Sequence, residues 1–158
     1  MNARVLAVGA LKENWQREAC AEYLKRLSRY GKYDIVEVPD EPESTNSSPA
    51  LNQKLIQKEG QAILRQVKST DCVVALCIRG KELSSEQLAG QVRQWENAAG
   101  RTVFIIGGSL GLSKEVEDRA DFKLSFSPMT FPHQLMRVIL LEQLYRAEKI
   151  NAGERYHK

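Results

Sequence analysis

The chain alternates between short apolar runs and longer segments with helical spacing. Uninterrupted apolar runs, typical of strands covered on both faces, occur at Val5–Val8, Cys72–Ile78 and Thr102–Ile106. Two less apolar runs, Asp34–Val38 and Phe122–Phe126, also indicate strands. Between them apolar residues recur every three or four positions, which predicts helices at 15–30, 51–67, 85–99, from about 113, and at 133–150.

Strands that alternate with helices predict an α/β fold, with a mainly parallel sheet flanked by helices. The 158 residues fit a single domain spanning 1–158, and no internal repeat divides them. The segment from Asp40 to Pro49 is rich in prolines, serines and acids, so we expect an exposed loop there.

Charge is distributed unevenly, although the net charge of +3 is too small to indicate a nucleic-acid partner. Residues 12–32 carry six basic side chains against three acidic ones, and residues 34–59 carry six acidic against two basic. Such patches fit an RNA partner and equally fit solvated helix faces.

The remaining composition narrows the function classes. The three cysteines lack metal-ligand spacing, so we expect buried thiols in a reducing cytoplasm and no metal site. No stretch reaches the roughly 18–20 apolar residues that span a bilayer, so no membrane partner is expected. Paired carboxylates and nucleophile-elbow motifs are absent from the sequence, so it contains no recognisable set of catalytic residues for hydrolysis.

A glycine-rich turn, Gly107–Gly111, follows the predicted strand that ends at Ile106. Ligands of open α/β sheets bind beyond the carboxyl ends of strands, and glycines there let the backbone approach a ligand. The spacing lacks the first glycine of a dinucleotide fingerprint, and no Gly-Lys-Ser/Thr follows as in a phosphate loop. A ligand-binding turn and a plain strand-to-helix turn both remain open.

A second loop, Ser127–Pro132, leads into the last predicted helix through His133. Hydroxyls, a thioether and an aromatic ring suit an adenosine moiety, whereas an ordinary helix entry is the alternative. Arg137 lies one helical turn after His133, and a salt-bridged surface arginine is the usual explanation for such a residue. The apolar face of Leu140, Leu144 and Ala147 indicates either a homodimer contact or a buried core helix.

Several separated motifs resemble one known family. They are Val-Leu-Ala-Val-Gly at 5–9, Ile-Val-Glu-Val-Pro at 35–39, Lys-Glu-Gly at 58–60, Ile-Gly-Gly-Ser-Leu-Gly-Leu at 106–112, Met-Thr-Phe-Pro-His-Gln at 129–134, Leu-Tyr-Arg-Ala at 144–147 and the final Tyr-His-Lys. Together they resemble the ribosomal RNA large-subunit methyltransferase H family, which methylates pseudouridine at ring N3. The resemblance runs from the first strand to the last residue.

The resemblance implies a SPOUT fold with a deep C-terminal trefoil knot, a homodimer, and S-adenosylmethionine as cofactor. It also implies large-subunit ribosomal RNA within the assembled ribosome as substrate. The implied cofactor site is Leu76, Gly107, Gly108, Phe126, Ser127, Pro128, Met129, Thr130 and Phe131. The resemblance further implies that the C-terminus and the knot of the two subunits together build the RNA site, for which we expect Arg155, Tyr156 and Lys158 to bind RNA.

From the sequence, more than one group could accept the proton, and two function classes other than a methyltransferase remain open. His133, His157 or a water could take the proton from ring N3, and Arg137 could stabilise the developing charge. The first alternative function is a ribosome-binding protein without enzymatic activity, which would be expected not to bind S-adenosylmethionine. The second is a nucleotide-dependent enzyme, which would be expected to bind a nicotinamide cofactor.

Overall fold

A computed structural model describes residues 1–42 and 45–156 of the chain. Five strands and five helices alternate as the sequence predicts. The strands are β1 (Asn2–Val8), β2 (Lys32–Val38), β3 (Cys72–Glu82), β4 (Thr102–Ile106) and β5 (Phe122–Ser125). The helices are α1 (Asn14–Leu27), α2 (Pro49–Leu64), α3 (Ser85–Ala98), α4 (Lys114–Arg119) and α5 (His133–Asn151).

The five strands form one sheet in the order β2-β1-β4-β3-β5, and each pair of neighbours is parallel. The predicted α/β fold with a parallel sheet is therefore confirmed. Val8 pairs with Val38, and Ala7 pairs with Ile106, so the carboxyl ends of these strands lie at one edge. That edge is where a ligand site is expected.

Helices cover both faces of the sheet. Successive side chains of a strand point to opposite faces, so Val5 and Ala7 join the core beneath α1, α3 and α5. Leu6 and Val8 instead join the smaller core beneath α2 and α4. This two-sided burial explains why β1 and β4 read as continuous apolar runs.

The first residues of α2 and α3 follow capping chemistry. Ser84 forms the expected capping box with Gln87 at the start of α3. Ser48 caps α2 by accepting a hydrogen bond from the Leu51 amide, and Pro49 occupies the first turn. Helices α1 and α2 end three residues earlier than the apolar spacing predicts, because that spacing continues into the following turns.

The structure decides the role of the apolar face of α5. Leu140 and Leu144 are fully buried and Ala147 is 1% exposed within a single chain. These residues form the core between α5, α1 and the sheet. The buried-helix interpretation is therefore the right one for this face, and it offers no surface to a second copy.

Strand β3 is longer than the apolar run predicts. It continues past Ile78 to Glu82, with a register shift between Leu76 and Lys81 in its pairing with β5. The extension has polar side chains, and backbone pairing, which apolar periodicity does not report, holds it in the sheet. None of the helices within residues 1–42 and 45–156 is long and apolar enough to cross a lipid bilayer.

Candidate functional site

A cavity of about 700 Å³ opens at the carboxyl edge of β3, β4 and β5. This volume lies within the range of small-molecule sites, roughly 300–1,000 Å³. The lining consists of two loops and the strand ends: Leu76–Ile78, Ile106–Leu112, Leu124–Ser127, Met129–His133 and Met136. Among these described residues there is no Asp, Glu, Lys or Arg, so the wall is apolar with backbone and hydroxyl groups interspersed.

The glycine-rich turn forms one wall of the cavity. Gly111 has a φ of +85°, a left-handed conformation that disfavours other residues. Its amide donates to the Gly108 carbonyl at 3.1 Å, which closes the turn. Ser113 then starts α4 by accepting a hydrogen bond from the Val116 amide. The turn is thus both a strand-to-helix connection and part of a cavity.

The loop after β5 forms the opposite wall. The Ser125 hydroxyl donates to the Ile78 carbonyl at 2.9 Å, which ties this loop to β3. The Ser127 hydroxyl accepts a hydrogen bond from the Met129 amide at 3.0 Å. Met129 is 72% exposed and Phe131 36% exposed, which is unusual for such apolar side chains. The loop therefore presents apolar groups to whatever enters the cavity.

His133 lines the cavity at the start of α5 and is half-buried. Burial lowers the pKa of its imidazole, the charge of Arg137 lowers it further, and Asp40 acts in the opposite direction. The neutral form, which can accept a proton, is therefore favoured at neutral pH.

Cys77 is the other titratable side chain among the described lining residues. Burial and the nearby Glu117 carboxylate raise the pKa of its thiol to about 11. The thiol is therefore protonated at neutral pH and is a poor nucleophile.

Arg137 is buried, not a surface residue: it is only 1% exposed. Its guanidinium donates to the Glu37 carboxylate at 2.8 Å and to the Gly9 carbonyl at 3.0 Å. Glu37 also accepts a hydrogen bond from the Leu11 amide. The group thus ties α5 to β2 and to the segment after β1, and it does not line the cavity.

The C-terminal tail follows α5 from residue 152 onward, and its described part, residues 152–156, packs against α5. The Tyr156 hydroxyl donates to Glu142 at 3.2 Å, and its ring lies 5.0 Å from the ring of Tyr145. The Arg146 guanidinium stands 4.6 Å from the Tyr156 ring. Arg155 is exposed, and the predicted residues His157 and Lys158 lie outside the described residues. None of the groups that contact Tyr156 lines the cavity of the same chain.

All the predicted cofactor residues except Pro128 line this one cavity. Their role in binding a cofactor stays a prediction. The lining also includes residues with no site role predicted from the sequence, namely Cys77, Ile78, Ile106, Leu112, Leu124, Ser125 and Met136. Ile106 and Leu124 could have been found, because they lie at or next to the carboxyl ends of predicted strands. Met136 follows His133 by three positions, the spacing of one helical face.

Fold and cavity together define an α/β protein with a cavity of small-molecule size at the carboxyl edge of a parallel sheet. The family described as "Predicted SPOUT methyltransferase" matches residues 1–157, and the chain belongs to this family. A relative from Bifidobacterium animalis subsp. lactis, named ribosomal RNA large subunit methyltransferase H, is 53% identical over 159 residues and the whole of both chains.

Two solved structures share the fold. A probable methyltransferase from Bordetella pertussis superposes with a TM-score of 0.56 at 15% identity, covering 93% of this chain and 94% of that one. A putative methyltransferase from Legionella pneumophila, in complex with the bound cofactor SAM, gives a TM-score of 0.51 at 13% identity. The alignment with it covers 93% of this chain and 66% of the Legionella chain.

Proposed function

We propose that this chain is an S-adenosylmethionine-dependent methyltransferase of large-subunit ribosomal RNA. The observation that carries the proposal is the cavity formed by the 107–112 turn and the 126–131 loop, in a chain similar over its whole length to proteins named for that activity. The finer parts of the proposal are methylation at N3 of a pseudouridine, action on the assembled ribosome, a homodimer, a cytoplasmic location and a C-terminal trefoil knot.

The cavity fits the proposed cofactor chemically. Exposed Met129 and Phe131 and the strand-end residues Ile106 and Leu124 offer apolar surface to an adenosine ring. The glycines of the turn lack side chains, which lets the main chain approach a ligand closely. Bound S-adenosylmethionine would supply an electrophilic methyl group at this site.

Within that proposal, the protein's own residues position the reactants and receive a proton. Methyl transfer requires an in-line approach, and positioning contributes on the order of 7–11 kcal/mol in favourable intramolecular systems. N3 of the base must lose its proton, and neutral His133 beside the cavity is a suitable acceptor. Arg137 is held by Glu37 and Gly9, so we assign it to positioning the start of α5.

Methyl incorporation from labelled S-adenosylmethionine tests the proposal. Ribosomes from a strain lacking this gene would be supplied as whole ribosomes, separate subunits and free RNA. We expect label on large-subunit RNA, at N3 of one pseudouridine by mass spectrometry, and only with assembled particles. Label on free RNA would contradict action on the ribosome. No label in any sample, with cofactor binding intact, would contradict the proposed substrate.

A further inference from the structure

The Lys58–Gly60 segment of α2 has no role in the cavity lining, yet it packs against the back of the glycine-rich turn. Glu59 and Gly60 are both buried, which is unusual for a glutamate. Helix α2 lies on the face of the sheet that it shares with α4. The segment therefore reaches the turn from the side opposite the cavity.

Glu59 joins two segments through its carboxylate. The residue is 6% exposed, and its Oε2 accepts a hydrogen bond from the Glu41 amide at 3.1 Å. A Cβ added at Gly108 would lie 3.3 Å from its Oε1 and 3.2 Å from the Val8 side chain, so the carboxylate borders the space where a side chain at Gly108 would lie. Lys58 adds an exposed ion pair to the Glu41 carboxylate at 3.2 Å. Glu59 thus stands between the segment after β2 and the turn.

The next residue contacts the other end of the turn. A Cβ added at Gly60 would lie 2.3 Å from the Ser113 hydroxyl oxygen, a distance that no real Cβ tolerates. Ser113 is 3% exposed, and its hydroxyl caps α4. Consecutive residues of α2 therefore contact Gly108 and Ser113, which bracket the cavity wall.

We propose that Glu59 is a positioning residue that holds the 108–113 turn in its ligand-binding conformation. It acts through Gly108, with Gly60 fixing the Ser113 end. The inference rests on the proposed function for the identity of the ligand. A carboxylate at this buried position supplies an acceptor for the Glu41 amide and a wall against which the glycine backbone rests.

Because Glu59 can ionise, the proposal predicts that ligand affinity depends on pH. Burial raises the pKa of its carboxyl to about 6, and the facing carboxylates of Asp40 and Glu41 act in the same direction, although the Glu41 amide opposes them. Below that pH the neutral group can share a hydrogen bond with Asp40, and above it a second negative charge faces Asp40. We therefore expect ligand affinity to weaken as pH rises from 5.5 to 7.5 in the wild type.

Binding of S-adenosylhomocysteine by titration calorimetry tests this. At pH 5.5, Glu59→Ala should raise Kd about tenfold, the effect of leaving the Glu41 amide without its acceptor. Glu59→Gln keeps the acceptor and resembles the neutral acid, so its Kd should stay within about twofold of the wild type at pH 5.5 and lose its pH dependence. The matched control is Gln57→Ala, an exposed position on the same helix, which should change nothing.

Amide hydrogen exchange of the ligand-free protein provides a readout independent of the cofactor. Glu59→Ala should accelerate amide exchange across 107–113. Gly60→Ala should also accelerate it, because the added Cβ would displace Ser113 at the carboxyl end of the turn. Wild-type affinity and exchange in a folded Glu59→Ala protein would overturn the inference, as would a failure of Glu59→Gln to restore binding. If Glu59→Ala does not fold, Gly60→Ala decides by the same criteria, and a pH dependence of binding that persists in Glu59→Gln would also overturn the inference. A wild type that binds no S-adenosylhomocysteine would instead refute the proposed function.

Discussion

At the scale of single residues, the imidazole of His133 is suited to receive a proton. Its lowered pKa keeps it neutral through the physiological range, and it lines the cavity. Because the neutral form is favoured in the folded state, protonation costs stability as pH falls through the ordinary histidine pKa of about 6.5. An activity that depends on His133 should therefore hold at pH 7 and decline only below about pH 6.5.

Replacement of His133 with Ala should lower kcat by about 10²–10⁴-fold, the usual contribution of a general base. Affinity for S-adenosylhomocysteine should change less than about threefold, because a base need not hold the cofactor. Single-turnover methylation of ribosomes at pH 6 to 8 measures the first effect and calorimetry the second. Near-wild-type activity would leave His157 or a water as the proton acceptor.

The Arg137–Glu37 pair is a separate residue-scale feature with a structural role. Glu37→Gln leaves the buried guanidinium without its carboxylate, and we expect a loss of about 2 kcal/mol in the free energy of unfolding. The loss is smaller than for a fully buried pair, because the Glu37 side chain is 44% exposed and the amide oxygen can still accept a hydrogen bond. Urea denaturation measures it. The double variant Glu37→Gln/Arg137→Met should recover most of the loss, and no recovery would contradict the pairing.

At the scale of elements, the sequence predicted the features that local chemistry controls. The strand runs and the start of α5 at His133 follow from periodicity, and the start of α3 follows from the Ser84 capping box. The polar end of β3 could not be predicted, because its partner β5 lies about 40 residues later and the pairing uses backbone groups. The two cavity loops were predicted from strand ends and family motifs.

The burial of Arg137 and Glu59 could not be predicted for a similar reason. Each depends on partners from distant segments, Glu37 and Gly9 for Arg137 and Gly108 for Glu59. Charged residues are mostly exposed, so composition alone favours the surface. Only the Lys-Glu-Gly motif signalled Glu59, and it carried no indication of chemistry.

The C-terminal tail is an element whose role can be separated from the cavity. Tyr156 is held by Glu142, Tyr145 and Arg146, outside the cavity of its own chain. Truncation after Gly153 should therefore leave S-adenosylhomocysteine affinity unchanged, while the KM for ribosomes rises at least about tenfold from lost stacking and phosphate contacts. Equal loss of cofactor affinity would contradict this division of roles.

At the scale of the whole molecule, the separation of tail and cavity fits a site shared between two subunits. A single chain has a mass of 17.9 kDa, and light scattering should give twice that mass for the proposed dimer. The buried face of α5 does not explain such a dimer, because Leu140 and Leu144 are already covered.

Mixing two impaired variants, at a ribosome concentration below the KM of the truncated chain, tests the shared site directly. A His133→Ala chain retains its tail, and a chain truncated after Gly153 retains His133. After dissociation and reassociation, half of the dimers are mixed, and each holds one site built from an intact cavity and an intact tail. We therefore expect recovery of about a quarter of wild-type methylation. A control mixture in which both chains carry His133→Ala should recover none. Mixed dimers that form without recovered activity would mean that each tail serves its own subunit.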